Sequence, residues 1–111
     1  LKGNYDLAII SFQNYIEQYP NSSAVPEAIY WIGQSHYNQE AYPEAISFFE
    51  RIESNYPAHD KVPNALLKGA FSYIELSQPD RAKELLSRLI ERFPQSNEAY
   101  RARDTLSTLS Q

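Results

Sequence analysis

The sequence predicts an all-α solenoid of paired helices, and three observations carry that expectation. The first is an internal repeat. Shifting the 111-residue chain by 37 positions brings Pro20, Pro57 and Pro94 into register, each preceded by an aromatic residue, Tyr19, Tyr56 or Phe93. Ala8, Ala45 and Ala82 align at the same shift, as do Phe12, Phe49 and Leu86, then Ala28, Ala65 and Ala102. A fixed period of this size marks one supersecondary unit stacked on copies of itself. The second observation is that apolar residues between the prolines recur every three or four positions, the helical period. The third is a glycine count of only three, too few for a turn-rich β fold or a phosphate-cradling loop.

Taken in order, residues 4–18 read as a helix carrying Leu7, Ala8, Ile9, Ile10, Phe12, Tyr15 and Ile16. It aligns with the second helix of a unit, so 1–22 form the second half of a truncated repeat. In the repeat 23–59, "VPEAIYWIGQSHYNQ" sets Ala28, Ile29, Ile32, His36 and Tyr37 at helical spacing, with Pro26 suited to a first turn. "AYPEAISFFERIESNY" then restarts at Pro43, with Ala45, Ile46, Phe49 and Ile52 on one stripe. Pro57 cannot continue that helix, which ends near Asn55 or Tyr56. The repeat 60–96 supplies helices near 61–76 and 79–92, and 97–109 forms the helix of a capping segment, 97–111. Asp60 and Asn97 are the expected N-caps, because their side-chain oxygens can accept unpaired first-turn N–H groups. Asn97, Glu98, Arg101, Arg103, Asp104 and Ser107 give the last helix a polar outer face. The chain is thus one domain: a half repeat, two full 37-residue repeats and a C-terminal capping helix.

The spacing matches the tetratricopeptide pattern W-x₂-L-G-x₂-Y…A-x₃-F…P. One repeat supplies Ile29, Ile32, Gly33, His36, Ala45, Phe49 and Pro57. The next supplies Leu66, Gly69, Ala70, Tyr73, Ala82, Leu86 and Pro94. Gly33 and Ala70, facing Ala45 and Ala82, let paired helices approach closely. The expected fold class is therefore an all-α, right-handed TPR superhelix.

Composition narrows function. No cysteine is present, which removes disulfides, thiolate metal sites and a cysteine nucleophile. A net charge of −4 speaks against nucleic acid as a partner. The charge is uneven: residues 1–60 hold two basic and eight acidic side chains, residues 61–111 eight basic and six acidic. No apolar run approaches the ~20 residues of a membrane span, and no basic segment followed by an apolar one suggests a leader. His36 reads as a packing histidine, and His59 with Asp60 lacks the further ligands of a metal site. No Ser-His-Asp arrangement is recognisable. Glu50 with Glu53, and Arg81, Lys83, Arg88 and Arg92 among Glu84 and Glu91, read as solvated or ion-paired helix surface. No enzymatic activity, cofactor or metal is expected.

In a tetratricopeptide solenoid the first helix of each unit lines the concave side. That placement turns Glu27, Tyr30, Gln34, Tyr37 and Asn38 toward a groove, then Asn64, Leu67, Lys68, Phe71, Ile74 and Glu75 in the next repeat. Tyr30, Leu67, Phe71 and Ile74 exposed in a concavity would suit peptide recognition; the competing role for each is packing between neighbouring first helices. Trp31 divides between inter-repeat packing and a groove-edge anchor. Helix 4–18 has more apolar surface than one neighbour buries, so Ile9, Phe12 and Ile16 are expected to contact a second copy of the chain. Two functional readings follow: a scaffold that binds a helix or extended segment of another protein, and a structural oligomerisation domain.

The 37-residue period, the phrases "YWIGQSHYNQEAYPEAISFFERI" and "KVPNALLKGAFSYIEL", and the recurring "YP-x-S" endings resemble the C-terminal domain of the YbgF/CpoB family of Tol-Pal-associated periplasmic proteins. The likeness runs along essentially the whole chain. It implies a periplasmic protein exported by a signal peptide, with a trimerising N-terminal coiled coil outside these residues. It also implies binding to TolA and a part in coordinating peptidoglycan synthesis with outer-membrane constriction during division. A second family whose repeats end in "YP" is the lipoprotein subunit of the β-barrel assembly machine.

Overall fold

A computed structural model describes residues 2–111, with Lys2 described by its backbone alone; Leu1 of the expected half repeat lies outside the described residues. Six helices follow one another: α1 (Lys2–Gln18), α2 (Val25–Asn38), α3 (Tyr42–Asn55), α4 (Val62–Glu75), α5 (Pro79–Arg92) and α6 (Asn97–Leu109). Each lies within two residues of the span its apolar period predicts. Proline occupies the first or second helical position of α2, α3, α4 and α5, where its missing N–H has no intrahelical partner to lose.

Two corrections concern the caps. Asp60 does not cap α4; its side chain is 94% exposed. No side chain caps α4: its N-cap residue is Lys61, whose own N–H donates to His59 Nδ1 at 3.0 Å in the preceding turn. At α6 the cap is Ser96 rather than Asn97: its Oγ accepts the Ala99 N–H at 3.0 Å, and Asn97 is already the first helical residue. Ser96 has the extended backbone (φ −75°, ψ 153°) that aims a short hydroxyl into the first turn.

The turns between α2 and α3 and between α4 and α5 are copies of one another. Glu40 and Ser77, 37 residues apart, adopt left-handed φ values of 61° and 59°. The Ala41 and Gln78 N–H groups reach back to the His36 and Tyr73 carbonyls, while the Glu40 and Ser77 N–H groups reach Tyr37 and Ile74. This pair of bonds is a Schellman ending, which ordinarily uses glycine at the left-handed position. Two non-glycine residues held there show how strongly the packing on either side fixes the turn.

Each helix packs on the next, and α2 also meets α4 while α4 meets α6. Among the described residues the backbones of α1 and α3, and of α3 and α5, do not approach each other in this way. The even-numbered helices are therefore drawn together and the odd-numbered ones splayed, which curves the array with α2, α4 and α6 on its concave side. The result is an all-α TPR solenoid measuring 45 × 29 × 19 Å. Its core is the seam between the two layers: Ile32, Ala45, Ile52, Val62, Ala70, Ala82, Leu86 and Leu89 are fully enclosed, with Phe49 at 2% exposure. Ser35 and Ser72, again 37 apart, are buried but satisfied, donating to the Trp31 and Lys68 carbonyls at 2.8 Å. On the odd-helix side Glu53 of α3 receives both Arg88 and Arg92 of α5, at 2.6 and 3.1 Å. Glu50 accepts the Tyr73 hydroxyl at 2.9 Å. These acids thus serve inter-helix contacts and are not merely solvated.

Candidate protein-interaction groove

The concave face is built from one stripe on each of α2, α4 and α6. The pairs Tyr30–Lys61 and Tyr37–Lys68 occur in the same order along α2 and α4, so the two helices run parallel, and Asn64–Glu98 with Phe71–Arg101 shows the same for α4 and α6.

Two expected groove residues are not in it. Tyr30 is 4% exposed and Leu67 1%. The reason is the closure of the even-helix layer: residues that a helical projection turns outward become enclosed when the next even helix closes over them. Tyr30 packs 5.7 Å from the Phe49 ring and edge-on to Trp31 at 5.1 Å, and its hydroxyl donates to Gln34 Oε1 at 3.4 Å. Burial, then the Glu98 charge, pushes its phenol pKa above the usual value.

The remaining candidates do reach the concave surface. Trp31 is 39% exposed, Tyr37, Phe71 and Ile74 are half-buried, and Glu27, Asn38 and Glu75 are exposed. Gln34 Nε2 donates to Asn38 Oδ1 at 2.9 Å, and Asn64 Nδ2 donates to Glu98 Oε2 at 3.2 Å, linking α4 to α6. Three cations lie over the rings. Lys61 Nζ is 5.2 Å from the centroids of both Tyr30 and Trp31, Lys68 Nζ is 5.0 Å from Tyr37, and Arg101 Cζ is 5.4 Å from Phe71. Desolvation, followed by repulsion from Arg101, lowers the Lys68 pKa. Lys61 and Arg101 are groove residues that the helical projection misses, Arg101 having been assigned to the outer face of the cap. The signal for them was present: Lys61 lies seven residues before Lys68, and Arg101 aligns with Asn64 at the 37-residue shift.

At the α1 end, Ile9 is 8% exposed and so is buried within its own chain, which removes it from the expected contact with a second copy. Phe12 and Ile16 are half-buried. The exposed apolar side chains of α1 are Leu7 at 65% and Ile10 at 53%. Phe12 and Tyr15 of α1, with Glu27, Ala28 and Trp31 of α2, line an open cavity of about 580 Å³. Among the described residues no cluster of three His, Asp or Glu could hold a metal ion, and His36 stacks on Phe48 at 5.6 Å. Among the described residues no helix is long and apolar enough to cross a membrane.

Comparison with known proteins yields two matching families. The model of the outer membrane lipoprotein family YfiO matches residues 23–103, and a tetratricopeptide-repeat model matches residues 1–22. The cell division coordinator CpoB of Escherichia coli K12 is 47% identical over 38 residues, which are 34% of this chain and 14% of that protein. The outer membrane protein assembly factor BamD of Xylella fastidiosa 9a5c is 25% identical over 126 residues, covering 97% of this chain and 43% of that protein. BamD of Caulobacter vibrioides is 27% identical over 110 residues, 92% of this chain and 36% of the relative. The chain thus spans less than half the length of each of these relatives.

Proposed function

The chain belongs to the YfiO outer membrane lipoprotein family, and from that premise we propose that it is a periplasmic protein-interaction scaffold whose concave face holds a segment of a partner protein. The observation that carries this reading is the row of Trp31, Tyr37, Phe71 and Ile74, each still accessible, interleaved with Lys61, Lys68 and Arg101 on three neighbouring helices. Aromatic and Arg side chains in a concavity are the usual anchors of protein interfaces. Two finer readings differ in the partner. Likeness to the cell division coordinator is higher in identity but short, and favours a Tol-Pal component such as TolA. Likeness to the assembly factor is lower but nearly chain-wide, and favours a subunit of the β-barrel assembly machine.

Calorimetric titration of the chain with the periplasmic domain of TolA, and separately with subunits of the assembly machine, separates these. With whichever partner binds, Phe71→Ala and Trp31→Ala should each weaken affinity by about 1–3 kcal/mol and leave helicity intact. Unchanged affinity in both variants would remove the groove as the binding surface. Tyr30→Ala is unsuitable as a groove variant, because Tyr30 is a core residue.

A self-associating domain is the second reading, supported by the exposed Leu7 and Ile10 of α1. Light scattering across a concentration series should then show a dimer that Ile10→Asp converts to monomer. A concentration-independent monomer refutes it.

A further inference from the structure

We propose that Glu53, Arg88 and Arg92 form a clamp on the convex side that sets how far the concave face opens between α4 and α6, so that these three side chains position the groove without touching what it holds. The effect on binding rests on the groove reading; the effect on helix spacing does not. Among the described residues the backbones of α3 and α5 do not approach each other closely, and long side chains span the gap. The Glu53 side chain is 17% exposed. Its two oxygens take Arg88 through Nε at 2.6 Å and Nη2 at 3.0 Å, the paired geometry that a guanidinium favours. Arg92, one turn further along α5, donates to the same carboxylate at 3.1 Å and to the Pro57 carbonyl at 3.2 Å. Two arginines of one helix thus grip the end of α3 and the loop that leaves it.

Beneath the clamp the packing is thin. Glu53, Gly69 and Leu85 line a crevice of about 10 Å³ between α3, α4 and α5, no larger than one water. The joint between α1 and α3 lies 37 residues earlier and is closed differently. Ile16, Ile32 and Phe48 stand there in place of Glu53, Gly69 and Leu85. Ile32 is fully enclosed, and Ile16 and Phe48 pack against the core. Arg51 and Asn55 take the places of Arg88 and Arg92, and Arg51 lies over the Phe48 ring at 5.3 Å. Packed hydrocarbon holds the first joint, and charge holds the second. The second joint reaches the groove because α6 packs on both α5 and α4. Across the concave face α6 meets α4 through the Asn64–Glu98 and Phe71–Arg101 contacts. Close-packed helices shift as bodies rather than deform. An α5 that swings away from α3 about α4 therefore carries α6 across those contacts and changes the space beside Phe71.

Spin-label distances test this, and a chain without cysteine takes the labels cleanly at Ile10→Cys, Ser47→Cys and Glu84→Cys, equivalent positions on α1, α3 and α5. Arg88→Met/Arg92→Met should lengthen and broaden the α3–α5 distance and leave the α1–α3 distance as it is. Glu53→Arg/Arg88→Glu/Arg92→Glu, which swaps the charges, should restore the wild-type distance, a rescue that lost packing would not give. Random peptides displayed on phage, selected on the wild-type chain and lost on Phe71→Ala, supply the second measurement. They should bind the methionine variant about threefold or more weakly and regain affinity for the swapped one. An α3–α5 distance unchanged in the methionine variant overturns the clamp. A changed distance with unchanged peptide affinity overturns its hold on the groove. Peptides insensitive to Phe71→Ala, or a selection that yields none, overturn the groove reading and with it the effect on binding, while the distances still decide the helix spacing.

Discussion

Replacing Phe49 by alanine should cost about 3–5 kcal/mol of folding free energy, a large part of the 5–15 kcal/mol available to a domain of this kind. The ring is enclosed at 2% exposure, lies 5.7 Å from the Tyr30 ring, and would touch any β-carbon added at Gly33. The Phe49 β-carbon is also the second-nearest atom to a β-carbon built at Gly69, at 3.9 Å. The ring therefore fills the space between α3 and α2, and truncating it to the β-carbon leaves a cavity at that interface. Urea unfolding should show the midpoint falling with an unchanged slope. A midpoint close to that of wild type would mean that the seam relaxes to fill the cavity, contrary to the packing described.

Gly33→Leu should be nearly as damaging, at about 3 kcal/mol. A helix interior normally gains from losing a glycine, by up to ~1 kcal/mol. At Gly33 that gain is overridden, because a β-carbon would sit 2.8 Å from Phe49 Cε1 and 3.2 Å from Phe48 Cβ. Gly69 provides the matched control: its nearest neighbour is the Leu85 Cδ1 methyl at 3.3 Å, the mobile end of a flexible side chain. Gly69→Ala should therefore stabilise by about 0.5 kcal/mol. Thermal melts of the two variants should move in opposite directions; a rise in both would show that local helix propensity, not the α2–α3 approach, governs both sites, and a fall in both would show that Gly69 tolerates a side chain no better than Gly33.

The difference between these glycines illustrates how much of the molecule was legible in the sequence. The register of Pro20, Pro57 and Pro94 and the apolar period locate the helices to within two residues, because backbone and side-chain patterns repeat together. The pairing of Gly33 with the α3 stripe follows from the same register. The turns at Glu40 and Ser77 carry no glycine, so their left-handed backbone has no local signature and is imposed by the helices on either side. The caps fail for a related reason: α4 starts at Lys61 with no side-chain cap, and Ser96 takes the place of Asn97 at α6, through loop geometry that composition does not encode. The groove was legible only in part. A helical projection shows which residues leave the α2–α3 or α4–α5 seam, but not how far α4 closes over α2, and that closure takes Tyr30 and Leu67 into the core. Lys61 and Arg101 enter the groove from a helix start and from the cap, positions that the projection of complete repeats does not weigh.

The contact pattern also sets how the molecule comes apart. Among the described residues α1 packs on α2 alone, whereas α4 touches α2, α3, α5 and α6. Stability in such an array propagates only between neighbours, so opening at one end leaves the rest of the seam unbroken. The Gln39–Asp6 hydrogen bond at 2.6 Å and the Tyr15–Ser22 bond at 2.6 Å are polar ties that help hold α1 in place. Amide protons of α1 should exchange through local fraying, those of α3 and α4 only when the whole chain opens. The domain thus behaves as a zipper with its firmest teeth in the middle, and the cavity beneath Trp31 lies at the end that opens first.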